Sequence, residues 1–327
     1  MRTSTNAAPP ASARLRGVFA LLAGLLAITC VNKASPPSVR PATSEAAPRK
    51  GALVIIGGRL EPDNRALYEA MLELRPHPGP VCVLPTASAE PERSMQAYVE
   101  DFVRYGGPDA GLGVALFAAQ PEGAQDPQLV ASLDACAGFF FTGGDQSRIL
   151  DTLRPDGRET AADAAIRARH EAGAFIAGTS AGAAMMSDPM IAGGDPDTAL
   201  VAGVCDTPEC AGVWLRAGMG YWAGGLSDQH FFARDRVWRL LAALLARPGQ
   251  LSVGLGVDED TGVIVRGDEA EVVGRSGAMR VDVSTLEPLD ATRWRGASLA
   301  VFGPGDRFRL SDGALLEAGT PPASAAT

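Results

Sequence analysis

Ser180 lies in Gly178-Thr179-Ser180-Ala181-Gly182, a G-x-S-x-G pattern that directly follows the apolar run Phe175-Ile176-Ala177. A serine hydroxyl is a weak nucleophile until a neighbouring base takes its proton. The flanking glycines permit a sharp strand-to-helix turn that lifts the hydroxyl above a sheet. The free amides of the following helix then favour developing negative charge. The Ala181 amide is one expected donor to the oxyanion of an acyl transfer. The pattern also recurs by chance as a plain glycine-rich turn, so the strand in front of it carries the argument.

The choice of base is narrow, because the chain has 3 histidines. His77 is held between Pro76 and Pro78 in a connecting loop. His170 falls near the end of the helix that precedes the Ser180 strand. A five-residue strand is about 17 Å long, which puts His170 at the opposite rim of the sheet. His230 remains, in Ser227-Asp228-Gln229-His230-Phe231, polar on one side and aromatic on the other. A catalytic imidazole also needs an acidic partner to orient it. Spacing alone does not single that partner out among the carboxylates.

The elements that must position these groups read as an α/β fold. Strand-like runs at 52–56, 81–84, 113–117, 138–141 and 174–177 alternate with helical patterns at 64–74, 92–105, 147–153 and 159–171. Short continuous apolar runs suit strands covered on both faces. Alternation with helices indicates a doubly wound, mostly parallel sheet with catalytic groups at the strands' carboxyl ends. Further strands at 251–257, 261–265, 271–273, 279–283 and 298–302 are joined by tight turns and predict antiparallel strands at one edge.

Arg2, Arg14 and Arg16 precede an uncharged apolar stretch, Gly17 to Ile28, too short to cross a bilayer comfortably, and Leu26-Ala27-Ile28-Thr29-Cys30 follows. Residues 1–30 are therefore expected to be a signal segment with a lipid-attachment cysteine at Cys30. The Pro-, Ala- and Ser-rich residues 31–50 read as a disordered tether, 51–317 as one catalytic domain and 318–327 as a disordered tail. Cys205 and Cys210 bracket a short loop that a disulfide could close outside the cytoplasm, whereas Cys82 and Cys136 lie in apolar runs and are expected to be buried free thiols. The formal net charge of −9, with signs interspersed, argues against nucleic acid as a partner. No metal or other cofactor is expected.

Three segments in order, Phe141-Thr142-Gly143-Gly144-Asp145-Gln146, Gly178 to Ala183, and Asp228-Gln229-His230-Phe231, resemble the cyanophycinase branch of the peptidase E-like serine peptidases. The similarity covers roughly residues 51–265. It implies a fold of the class I glutamine amidotransferase-like type, with serine in place of that group's cysteine. It also implies a Ser-His-Glu triad of Ser180, His230 and Glu259, with Asp258 as the alternative acid. Gly144 joins Ala181 as the expected oxyanion donor. The substrate it implies is cyanophycin, a polyaspartate with arginine on each side-chain carboxyl. The expected contacts are Gln146, Asp228, Gln229, Arg234, Arg236 and Arg239. Arginine forks suit carboxylates, and Asp228 suits a guanidinium.

The expected activity is hydrolysis of cyanophycin to β-Asp-Arg dipeptides outside the cytoplasm, with membrane contact only through Cys30 and a homodimer left open. The alternatives are an aspartyl or isoaspartyl dipeptidase of the peptidase E type and a noncatalytic peptide-binding lipoprotein.

Overall fold

The computed structural model describes residues 50–209, 211–247, 249–289 and 294–320. The signal segment with Cys30, the tether before Lys50, Cys210 (and so its expected pairing with Cys205) and the tail from residue 321 lie outside the described residues.

Five strands form the parallel half of the main sheet: β1 (Leu53–Ile56), β2 (Val81–Leu84), β3 (Gly111–Gly113), β4 (Gly138–Phe141) and β5 (Phe175–Thr179). All but β3 are buried along their whole length. Alternation divides their side chains between two cores. Leu53, Ile55, Phe139, Phe141 and Ile176 face one, and Val54, Ile56, Phe140, Phe175 and Ala177 face the other. Helices α1 (Arg65–Glu73) and α2 (Pro91–Gly106) cover the second core through Leu67, Tyr68, Met71 and Phe102. After the short α3 (Pro127–Ser132), α4 (Gln146–Leu153) and α5 (Ala161–Glu171) cover the first through Ile149, Leu153 and Ile166. Each fully buried large side chain contributes roughly 1.5–3 kcal/mol relative to exposure.

Beyond β5, the short helix α6 (Ala181–Ala184) leads into a three-stranded sheet of β6 (Met190–Gly193), β7 (Val204–Cys205) and β8 (Val213–Arg216), with α7 (Pro196–Ala202) between β6 and β7. Then come β9 (Leu226–Gln229), α8 (Val237–Leu245), β10 (Val253–Val257), β11 (Thr261–Arg266), β12 (Glu269–Gly274) and β13 (Ala278–Asp282). The pair β14 (Glu287–Pro288) and β15 (Trp294–Arg295) precedes β16 (Ser298–Phe302), β17 (Arg307–Arg309) and β18 (Leu315–Glu317). The main sheet has 9 strands in the order β18-β17-β12-β11-β1-β5-β4-β2-β3, parallel from β1 to β3 and antiparallel from β1 to β18. The expected antiparallel edge is thus present. The late strands do not all join it, however, and β16-β13-β10-β9 form a separate sheet.

Two further differences stand out. The strand expected at 113–117 is β3 at Gly111–Gly113, because the chain leaves the sheet edge once Val114 has bonded to Val83 O at 3.0 Å. Cys82 and Cys136 are not free thiols: they form a disulfide with a Cα–Cα distance of 5.7 Å. Parallel pairing of β2 with β4 aligns Val81 with Gly138, which brings the two cysteines together on one face of the sheet.

Candidate active site

Ser180 follows the buried strand β5 and caps α6 with φ +53° and ψ −109°. That is strained backbone for a residue with a β-carbon, of a kind concentrated at functional sites and costing about 1–3 kcal/mol. Neighbouring glycines make the turn possible. A β-carbon at Gly178 would overlap the Gly182 carbonyl, and one at Gly182 would overlap that of Phe141. The Ser180 amide donates to Ile56 O at 3.0 Å, which pins the elbow to the end of β1. Ala181 is the first helical residue, so its N–H has no acceptor within the helix.

His230 follows β9 and Glu259 follows β10. These strands are parallel neighbours with Gln229 opposite Val257, so both side chains leave the same end of their sheet. Ser180 Oγ lies 2.9 Å from His230 Nε2, and His230 Nδ1 lies 2.7 Å from Glu259 Oε1. Both contacts are at hydrogen-bonding distance. Gly57 and Gly58 stitch the two sheets together: the His230 amide donates to Gly57 O at 2.6 Å, and the Asp260 amide to Gly58 O at 2.8 Å. A β-carbon on Gly58 would overlap the His230 imidazole. Arg59 donates to Glu259 Oε2 at 3.3 Å. Ser180, His230, Arg59 and Asp260 all have positive φ without being glycine.

Burial holds the His230 imidazole below its ordinary value, assisted by the charges of Arg234 and Arg236, while the Glu259 hydrogen bond opposes the shift. For Glu259, burial alone would raise the carboxyl. The His230 hydrogen bond and charge, with Arg59, hold it below the ordinary value instead. The resting pair is therefore a neutral imidazole beside an ionised carboxylate. This arrangement can accept a hydroxyl proton and then stabilise the resulting cation. Asp258, the alternative acid, is occupied elsewhere. It accepts from the amides of Phe232 (3.1 Å) and Ala233 (3.0 Å) and from Ser276 Oγ (2.7 Å), and so shapes the loop after His230.

The histidines set aside in the sequence lie away from this site. His77 contacts Arg169 at 2.8 Å, and His170 Nδ1 contacts Ala174 O at 2.8 Å beneath the start of β5. Gly144 packs against Ala87 O, whereas Gly143 is the glycine beside Ser180: its β-carbon would stand 3.3 Å from Ser180 Cβ.

The expected substrate contacts divide into layers. Asp228 and Arg239 are both buried and bind one another in a fork, with Nε to Oδ2 at 2.9 Å and a short Nη2 contact to Oδ1. Neither is open to take a ligand's guanidinium or carboxylate, and the pair clamps α8 onto β9 just before His230. Arg236 donates to the carbonyl and to Oε1 of Gln229, at 2.8 and 2.7 Å. Burial, then the Arg239 charge, lower Arg236 to about 10. Its Nε is buried without a partner among the described residues. Gln146 Nε2 holds β6 through Ile191 O (3.0 Å) and Ala192 O (2.8 Å). Arg234 alone is exposed, its backbone amide bonded to His230 O at 3.1 Å. Among the described residues no group of His, Cys, Asp or Glu could hold a metal ion.

The family model described as Peptidase family S51 matches residues 53–273. The chain belongs to peptidase family S51. Within it, the chain is 35% identical over 251 residues to a protein named Cyanophycinase from Nostoc sp., covering 73% of this chain and 78% of that one. It is 34% identical over 241 residues to one of the same name from Geminocystis herdmanii, covering 70% and 81%. A solved peptidase from an acI-B1 Actinobacterium shares the fold at a TM-score of 0.55 and 19% identity, over 80% of this chain and 98% of that one. As an S51 member the chain is a peptidase, and a serine nucleophile fits the family. Sequence reasoning missed Gly58 and Arg59. The signal was the glycine pair closing β1, the strand that proves to adjoin the one leading into Ser180.

Proposed function

We propose that this S51 peptidase is an exported serine hydrolase that cleaves cyanophycin to β-Asp-Arg dipeptides. The observation that carries the reading is the hydrogen-bonded series Ser180–His230–Glu259 at the strand ends. Ser180 Oγ attacks an aspartyl peptide carbonyl as its proton passes to His230 Nε2. Glu259 stabilises the imidazolium. The amides of Ala181 and of Gly143 or Gly144 receive the oxyanion. Collapse expels the amine, which takes the proton from His230. Water, deprotonated by His230, then hydrolyses the ester and regenerates Ser180. The substrate class rests on the relatives named Cyanophycinase. The exposed Arg234 and the partly buried Arg236 supply positive charge beside His230 for the substrate's carboxylates. Export is supported by the Cys82–Cys136 disulfide, since such bonds persist in oxidising compartments.

The test compares cyanophycin with aspartyl and isoaspartyl dipeptides as substrates for the purified chain and its Ser180→Ala variant. Release of β-Asp-Arg from the polymer, abolished by the substitution, is expected. Cleavage of dipeptides alone would reassign the substrate, and full activity in Ser180→Ala would remove the mechanism.

A further inference from the structure

A cavity of about 600 Å³ lies between the loop that follows β1 and one face of α2. Both of its walls start at the triad. On one side, Gly58 is against the His230 ring and Arg59 bonds Glu259, and the next residue, Leu60, lines the cavity. On the other, Gly143 is against Ser180, and Gly144 packs on Ala87 and Ser88, of which Ser88 lines the cavity.

The α2 wall carries charges of alternating sign. Glu90, just before the first turn, and Arg93, Glu100 and Arg104 on one face of the helix line the cavity. The width of the groove is fixed, because Arg104 Nη1 (2.9 Å) and Tyr105 OH (2.8 Å) both donate to Pro62 O across it. Asp101 anchors the helix behind, accepting from Arg104 at 2.7 Å and from the Tyr68 hydroxyl at 3.0 Å. Glu90 and Arg93 pair at 2.9 Å with side chains 67% and 84% exposed, and Glu100 accepts from the neutral Gln96 amide at 2.8 Å. Exposed pairs of this kind are weak, so a ligand's own charges can replace them.

We propose that this groove is a distal subsite that holds a second branch of a zwitterionic polymer while a first branch is cut at Ser180, with Glu100 receiving the guanidinium and Arg93 the carboxylate. The proposal rests on the peptidase reading above and deepens it: the enzyme recognises a run of branches, each ending in one positive and one negative group, rather than an isolated dipeptide.

The experiment uses the full chain with two synthetic aspartyl-arginine substrates, a minimal one that reaches only the scissile bond and a long one with further branches. Glu100→Lys, an exposed position, is expected to raise KM for the long substrate about tenfold, equivalent to about 1.4 kcal/mol, with kcat and the minimal substrate unaffected. Glu92→Lys, on the same helix outside the groove, is expected to change neither. Equal changes on both substrates, or none, would overturn the subsite. The Ser180→Ala chain separates this from the peptidase reading by calorimetric binding of the uncleaved substrates. If wild type cleaves neither substrate, the peptidase reading fails and the groove is judged by binding alone. A length-dependent gain in affinity that Glu100→Lys removes supports it, and equal affinities for the two lengths refute it.

Discussion

Gly58 lies so close to the His230 imidazole that any β-carbon at position 58 would occupy the space of the ring. Its φ of +109° is also one that L side chains rarely adopt. The imidazole proposed as the base is thus positioned by a missing side chain on β1's carboxyl-terminal loop, 172 positions away in sequence (230 − 58). Gly58→Ala is expected to push the ring from Ser180 and lower kcat by about 10²-fold or more, the scale of a misplacement near 1 Å. Gly267→Ala is the control, since φ there is +63° but the space is open. It should lower stability by about 1 kcal/mol and leave kcat alone. Steady-state kinetics and thermal melts of both variants check this.

On the proposed mechanism, the acid limb of kcat/KM should lie below the ordinary histidine value of 6.5, because a base works when neutral and burial lowers His230. Two substitutions should move that limb in opposite directions. Arg234→Gln removes a charge that disfavours the imidazolium, so the limb rises. Glu259→Gln removes the partner that favours it, so the limb falls, and the rate drops by about 10³–10⁴-fold as the imidazole loses its orientation. Full pH profiles measure both. Movement of the two limbs in the same direction would contradict the assigned partners.

Asp228 and Arg239 are buried against each other, so removing either should strand a buried charge. Asp228→Ala and Arg239→Ala are each expected to cost about 3–5 kcal/mol in denaturant unfolding, whereas replacing both by Leu should recover much of the loss. Additive losses would argue against the pair.

The Cys82–Cys136 disulfide spans 54 positions, and loop-closure entropy gives it roughly 4 kcal/mol. Replacing both cysteines with Ala should lower stability by that order. Peptide mapping of the protein purified under oxidising conditions should find the two linked. Free thiols would contradict the assignment.

Much of this was readable from local pattern. The parallel strands announced themselves as apolar runs, and Ser180 by its glycines and the strand before it. His230 followed by elimination and Glu259 by resemblance. What was hidden depends on which strands become neighbours. The disulfide needs β2 beside β4, and nothing near Cys82 or Cys136 in sequence reports that pairing. The division of the late strands between two sheets hangs on β10 choosing β9 and β13, though its own sequence would suit either sheet. Asp228 and Arg239 looked like ligand contacts because their types suit a zwitterionic substrate. That they bind each other depends on α8 folding back over β9.

The central claim is that His230 and Glu259 activate the Ser180 hydroxyl. Intact-mass and peptide mass spectrometry after treatment with a fluorophosphonate tests it most directly. The account predicts one adduct per chain, on Ser180, absent in Ser180→Ala and strongly slowed in His230→Ala. An adduct on another residue, or an Ser180→Ala chain that retains both labelling and peptidase activity, would contradict it.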